Sequence, residues 1–158
     1  MSNSINNLVY YDFPWGKGEL FFNSQDQLIK LNINLSTFTL KNNGYVSPNS
    51  AKFIEELSWY FFGKKITFSI PINLDGCTAY HRNVYQALTK SATYGNTITY
   101  KELSLIAGGS PRSIGQAMKR NPIAIVIPCH RVVGSSGLGG FSGGLEIKQY
   151  LINLERRD

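Results

Sequence analysis

Apolar residues in the first half of the chain fall in short runs, LVYYDF (8–13), ELFF (19–22) and LIKLNINL (28–35). The last alternates apolar with polar positions, as a strand with one buried face does. Gly16 and Gly18, then Asn23 to Gln27, supply the turns between them. From Ser50 the spacing changes. Phe53, Leu57 and Phe61 recur every four residues and predict an amphipathic helix that stops at Gly63. ITFSIPINL (66–74) is extended and interrupted by Pro71. This half carries no chemical motif, and its expected role is structural support.

The second half has helical periodicity. Thr78 can cap a helix with Tyr80, Val84, Ala87 and Leu88 on one face, and Tyr94-Gly95-Asn96 forms a turn. TYKE (99–102) is a capping box, in which Thr99 and Glu102 each satisfy a backbone donor of the other. That helix runs through Leu103 and Ile106 to Gly108-Gly109. Ser110 caps the next, with Pro111 at a position where a missing N–H costs nothing. PRSIGQAMKR then buries Ile114 and Met118 and displays Arg112, Gln116, Lys119 and Arg120. Two helices across a glycine turn, the second basic, outline a helix-turn-helix. Gly115 and Ala117 keep the second helix slim, either to approach a nucleic-acid backbone or to pack another helix. Beyond Asn121-Pro122, the apolar run IAIVI predicts a strand ended by Pro128. A last helix carries Leu145, Ile147, Tyr150, Leu151 and Leu154, and brings Lys148 and Glu155 back toward the preceding segment.

Composition narrows the class. With 158 residues, 16% of them charged and 13% aromatic, the chain can form one good-sized core or two small ones. No run approaches the roughly 18 apolar residues of a membrane span, and the N-terminus lacks a secretory layout. A cytoplasmic protein is expected, or a nuclear one in a eukaryote. Residues 1–78 hold six lysines against six acids, whereas residues 79–158 hold ten basic residues against four acids. The net charge of +6 therefore belongs to the second half, as it would in a polyanion-binding surface or in a one-sided solvated face.

Two cysteines, Cys77 and Cys129, make no disulfide framework, and with two histidines and no CxxC or HxxxH spacing they make no zinc site. Cys129 sits within Pro128-Cys129-His130-Arg131, at the expected end of a strand. It is either a buried structural thiol or a nucleophile whose pKa is lowered by basic neighbours. Adjacent side chains diverge in regular structure, so Cys129 and His130 can pair only through a turn or a bridging water. GLGGFSGG (137–144) lacks the Lys-Ser/Thr of a phosphate loop and reads as a plain turn, or as a loop that brings backbone close to a flat ligand.

NPIAIVIPCHRVVGSSGLGGFSGG resembles the active-site segment of the O6-alkylguanine-DNA alkyltransferases, whose signature is a PCHR core. The likeness extends back through YGNTITYKELSLIAGGSPRSIGQAMKRNP and forward through GLEIKQYLINLE, covering about residues 76–155. It implies an α+β protein. Residues 1–74 would form a small antiparallel β-sheet with a helix, ribonuclease H-like, and residues 75–158 a mostly helical, winged-helix-like domain with the helix-turn-helix. The implied activity is direct DNA repair. O6-alkylguanine, and O4-alkylthymine less well, would be flipped from duplex DNA and the alkyl group passed irreversibly to Cys129, once per molecule. His130 would act as base through a water, Glu155 would orient and charge it, Asn121 would brace the turn, and Tyr100 would donate to the base and help rotate the nucleotide. Arg112 would fill the gap in the stack, with Thr99, Ser113, Gln116, Lys119 and Arg120 also on the DNA. Val132, Phe141, Ser142, Lys148 and Met118 would line the base pocket. The resemblance implies a monomer that binds double-stranded DNA through the minor groove, with no cofactor or metal entering the reaction.

Phe141 stands where the family often has Tyr, GCTAYHRNVY (76–85) departs from the commoner pattern, and Cys77 has no assigned role. Neither Cys nor His precedes Cys77, so the N-terminal metal site of some members has no counterpart. Three other functions compete. A non-enzymatic lesion-binding protein would lack the cysteine. A helix-turn-helix regulator would read base sequence. A cysteine hydrolase would use Cys129, His130 and Glu155.

Overall fold

The computed structural model describes residues 4–34 and 45–157, so the predicted end of the third strand at position 35 lies outside them. The chain divides into two compact units, Met1–Gly76 and Cys77–Asp158.

The first unit is an antiparallel sheet in the order β1-β2-β3, formed by Asn7–Phe13, Gly16–Phe22 and Leu28–Asn32, and followed by helix α1, Pro48–Phe61. Pro14 and Trp15 make the first hairpin turn. Gly18, expected in that turn, instead pairs with Tyr11 inside β2. The Phe13 ring and the Asn32 carbonyl occupy the space that a Cβ at Gly18 would need. Leu20 and Phe22 are buried at alternate positions of β2, their partners Leu31 and Leu28 are buried across a register shift at Phe21–Phe22, and Val9 of β1 is buried, as are Phe53, Leu57 and Tyr60 of α1. The stripe ends on Tyr60 rather than the expected Phe61, because a 3.6-residue period drifts off a strict four-residue spacing. Phe61 stacks at the margin on Tyr11 and meets Phe13 and Trp15 edge to face. Residues 66–74 add one isolated bridge, Leu28 to Ile72.

The second unit opens with α2, Ala79–Ser91, capped by Thr78. Its core face is Val84, Tyr85 and Leu88, and the Tyr85 hydroxyl donates to the Ala117 carbonyl at 2.8 Å. Tyr80, expected on that face, bonds Ser113 Oγ and the Gly108 carbonyl at the helix-turn-helix turn. Strand β4, Ile98–Thr99, leads into α3, Tyr100–Ala107, with the Thr99–Glu102 capping box formed. After Gly108-Gly109, α4 spans Pro111–Lys119 under a Ser110–Ser113 box. Leu103 and Ile114 are buried, but Ile106 is exposed, since the short α3 presents little more than one buried turn.

The predicted strand at Ile123–Ile127 is absent. The run folds on itself: Val126 N donates to the Ala124 carbonyl and Ile127 N to the Ile123 carbonyl, with Ile125 at φ +73°. A short 3₁₀ turn, Cys129–Arg131, follows, then β5, Val132–Val133, and α5, Leu145–Glu155. β5 pairs in parallel with β4, Ile98 beside Val132 and Thr99 beside Val133. That small ladder ties the start of the helix-turn-helix to the residues just after Cys129. No helix among the described residues is long and apolar enough to cross a membrane.

Candidate active site

Asn121 organises the turn that carries Cys129. Its Oδ1 accepts from Ile123 N at 3.0 Å and its Nδ2 donates to the Ile127 carbonyl at 2.8 Å. Both bonds satisfy backbone groups that a strand partner would otherwise take. They explain how five apolar residues close into a turn, and how Ile125 is held at a φ that a β-branched residue rarely adopts.

Cys129 begins the 3₁₀ turn and is 7% exposed. Burial pushes its thiol pKa up. A hydrogen bond from Asn121, the charge of Lys148 and the backbone amides of Cys129 and His130 oppose that rise. The expectation that His130 and Arg131 lower this pKa is not met. His130 is fully buried, which drives its own pKa down and leaves the ring neutral, and Arg131 spends its charge elsewhere. The thiol is therefore protonated at rest, and a base is needed to remove the proton.

His130 Nε2 lies 2.6 Å from Glu155 Oε1. Burial raises the Glu155 pKa, but hydrogen bonds from His130 and Arg131 outweigh it and hold the carboxyl down at about 2. An ionised carboxylate only accepts, so the proton of the neutral ring sits on Nε2. Nδ1 then keeps its lone pair, and this buried atom meets no protein hydrogen-bond partner. The His130 ring makes no hydrogen bond to the Cys129 thiol; only its backbone amide reaches the sulfur.

A cavity of about 520 Å³ opens on the sulfur. One wall comes from the helix-turn-helix: Tyr100 of α3, then Pro111, Gly115, Met118 and Lys119 of α4. The glycine-rich loop adds Gly140, Phe141 and Ser142 to the lining. Tyr100 fits because position 139 is glycine. At its φ of +71° a Cβ would stand 2.7 Å from the Tyr100 ring, whose hydroxyl reaches the Gly140 carbonyl at 3.4 Å. Phe141 contributes a ring without a hydroxyl.

Two expected wall residues stand behind the wall. Val132 is fully buried in the β4–β5 ladder. Lys148, also fully buried, donates from Nζ to the Val132 carbonyl at 2.6 Å and the Gly140 carbonyl at 2.9 Å, and so fastens the loop. Burial lowers its pKa to about 8, with Cys129 pulling the other way. Arg112, Gln116 and Lys119 are exposed on α4, and Arg120 is exposed at its C-cap. Thr99 and Ser113 are engaged in their capping boxes. Nothing in the sequence marks Pro111, Gly115 and Gly140 as pocket residues, and glycines in a wall leave no periodic signal. Arg131 was seen only as a basic neighbour of Cys129. Among the described residues no group of three or more His, Cys, Asp or Glu could hold a metal ion.

The family described as "6-O-methylguanine DNA methyltransferase, DNA binding domain" matches residues 79–157. The methylated-DNA–protein-cysteine methyltransferase of Metallosphaera sedula is 41% identical over 115 residues, which is 72% of this chain and 69% of the relative. That of Saccharolobus solfataricus is 36% identical over 116 residues, 73% and 76% of the two chains. The crystal structure of Mycobacterium tuberculosis OGT in complex with DNA superposes with a TM-score of 0.79 at 30% identity, covering 94% of this chain and 92% of that one. With the same fold over nearly its whole length, and a buried thiol beside a histidine and a carboxylate, this chain belongs to the methylated-DNA–protein-cysteine methyltransferase family of direct DNA-repair alkyltransferases.

Proposed function

We propose that this protein binds duplex DNA through α3 and α4, rotates an O6-alkylguanine into the 520 Å³ cavity, and transfers the alkyl group to Cys129. One observation carries the assignment: a thiol at the cavity surface beside a buried histidine whose Nδ1 meets no protein hydrogen-bond partner. The thiol proton passes through a bridging water to His130 Nδ1. The sulfur attacks the alkyl carbon, an S–C bond forms, and the C–O6 bond breaks with its electron pair going to the guanine. The guanine regains one proton, so thiol and O6-methylguanine give thioether and guanine. Tyr100, aimed into the cavity, donates to the base as its charge develops. Asn121 and the backbone amides hold the sulfur in place. The thioether leaves no route back, so each molecule reacts once and needs no cofactor. O4-alkylthymine is a poorer substrate.

The exposed basic residues of α4 support docking on phosphates in the minor groove, with Arg112 entering the stack as the nucleotide leaves it. Flipping costs a few kcal/mol, which these contacts offset. The test is to incubate the protein with duplex DNA containing O6-methylguanine and measure peptide masses. One methyl group on the peptide holding Cys129, absent from Cys129→Ala, supports the assignment. Release of product beyond one equivalent indicates a hydrolase. Binding that depends on base sequence without transfer indicates a regulator.

A further inference from the structure

We propose that Arg131 is a positioning residue for alkyl transfer: its guanidinium serves as the counter-ion of Glu155, so that His130 keeps a neutral ring with Nδ1 free to take the thiol proton. This deepens the proposed function and rests on Cys129 as acceptor and His130 as base.

Arg131 and His130 are neighbours in the 3₁₀ turn, and both side chains converge on one buried carboxylate, 24 and 25 residues away in sequence. Arg131 grips it with two bonds, Nε to Glu155 Oε2 at 2.8 Å and Nη2 to Oε1 at 3.0 Å. Oε1 also meets His130 Nε2 at 2.6 Å, and Oε2 accepts from Gly95 N at 3.3 Å. The third guanidinium nitrogen is fixed too, Nη1 donating to the Ala92 carbonyl at 2.8 Å, and the Tyr94 ring lies 5.9 Å from the guanidinium carbon. A planar fork bonded at every nitrogen has one orientation.

The consequence for His130 follows from charge balance. A buried carboxylate needs a positive partner. Arg131 provides it permanently, since a guanidinium does not deprotonate in a protein. His130 can then hydrogen-bond to Glu155 without being charged. Were Arg131 uncharged, the carboxylate would draw a second proton onto the imidazole, and an imidazolium has no lone pair for the thiol. Glu155, Arg131 and Lys148 act on His130, and Tyr94 faces Glu155. Around Cys129 stand Lys148, Tyr100 and Tyr85. Lys148 is a cation, but its ammonium is bonded to two carbonyls and cannot replace the fork.

The test measures the single-turnover rate of methyl transfer against pH in wild type, Arg131→Lys and Arg131→Met, with imidazole ¹⁵N shifts of His130 alongside. Only the acid limb is read, because Lys148, with its pKa near 8, bears on the alkaline side. In Arg131→Met the acid limb moves up by about one pH unit or more, and the rate near neutrality falls about tenfold and recovers toward alkaline pH. Arg131→Lys, which keeps the charge and loses the fork, retains the wild-type acid limb with a lower plateau. An equal loss at all pH values, or an acid limb that rises as far in Arg131→Lys as in Arg131→Met, overturns the proposal. So does a wild-type His130 that is imidazolium at pH 7, a result independent of how the variants fold. If wild type transfers no methyl group at any pH, it is the proposed function that fails.

Discussion

Replacing Glu155 with Gln removes the charge on which the catalytic turn is assembled, and the structure sets the size of the effect. The carboxyl is buried, accepts from His130 and twice from Arg131, and has its pKa held at about 2 against an ordinary 4.5. A pKa displaced by one is worth about 1.4 kcal/mol, so the ionised carboxylate contributes about 3 kcal/mol of stability at neutral pH. Because the folded pKa lies below the unfolded one, that contribution is complete above pH 4.5 and is lost as pH falls toward 2. His130 acts earlier on the acid side. Its folded pKa is also depressed, so the unfolded chain binds the extra proton, and stability declines as pH falls below 6.5. Wild type therefore loses stability gently below 6.5 and more steeply below 4.5. Glu155→Gln is less stable by about 3 kcal/mol at pH 7, since Arg131 loses its buried partner, and its steep acid phase is flattened. Urea unfolding followed by helix circular dichroism at a series of pH values measures both quantities. A loss under about 1 kcal/mol with the acid slope unchanged would refute the reasoning.

Other perturbations separate structure from chemistry. Tyr85→Phe strips the buried Ala117 carbonyl of its donor and costs about 1–2 kcal/mol in urea unfolding, while methyl transfer by the folded protein stays at the wild-type rate. Gly139→Ala pushes a methyl group into the Tyr100 ring at a φ unsuited to alanine, and lowers the transfer rate by about tenfold or more. Lys119→Ala combined with Arg120→Ala, both exposed basic residues, weakens binding to unrelated duplexes alike, and each substitution reduces the salt slope by about 0.9 in a fluorescence titration.

What the sequence disclosed was local. The capping boxes at Thr99–Glu102 and Ser110–Ser113 bind residues three apart, so the helix-turn-helix could be read directly. Ile123–Ile127 could not. Five apolar residues have no periodicity to separate strand from turn, and what decides is the side chain of Asn121 reaching the backbone two and six positions ahead. The face of α2 departs from its periodicity at Tyr80, which serves the turn at Gly108 and Ser113, while Tyr85 enters the core. Arg131 is the clearest case. Beside Cys129 in sequence it reads as a charge that activates the thiol, but in space its charge belongs to Glu155. Proximity along the chain does not give the direction of a side chain, and the carboxylate that decides it comes from the last helix.

The most direct test of Cys129 as the alkyl acceptor is peptide mass analysis after incubation with duplex DNA carrying O6-methylguanine. The expected result is a single methyl group on the peptide containing Cys129, saturating at one per molecule and absent from Cys129→Ala. A methyl group on the peptide containing Cys77, or an undiminished gain in Cys129→Ala, would contradict it.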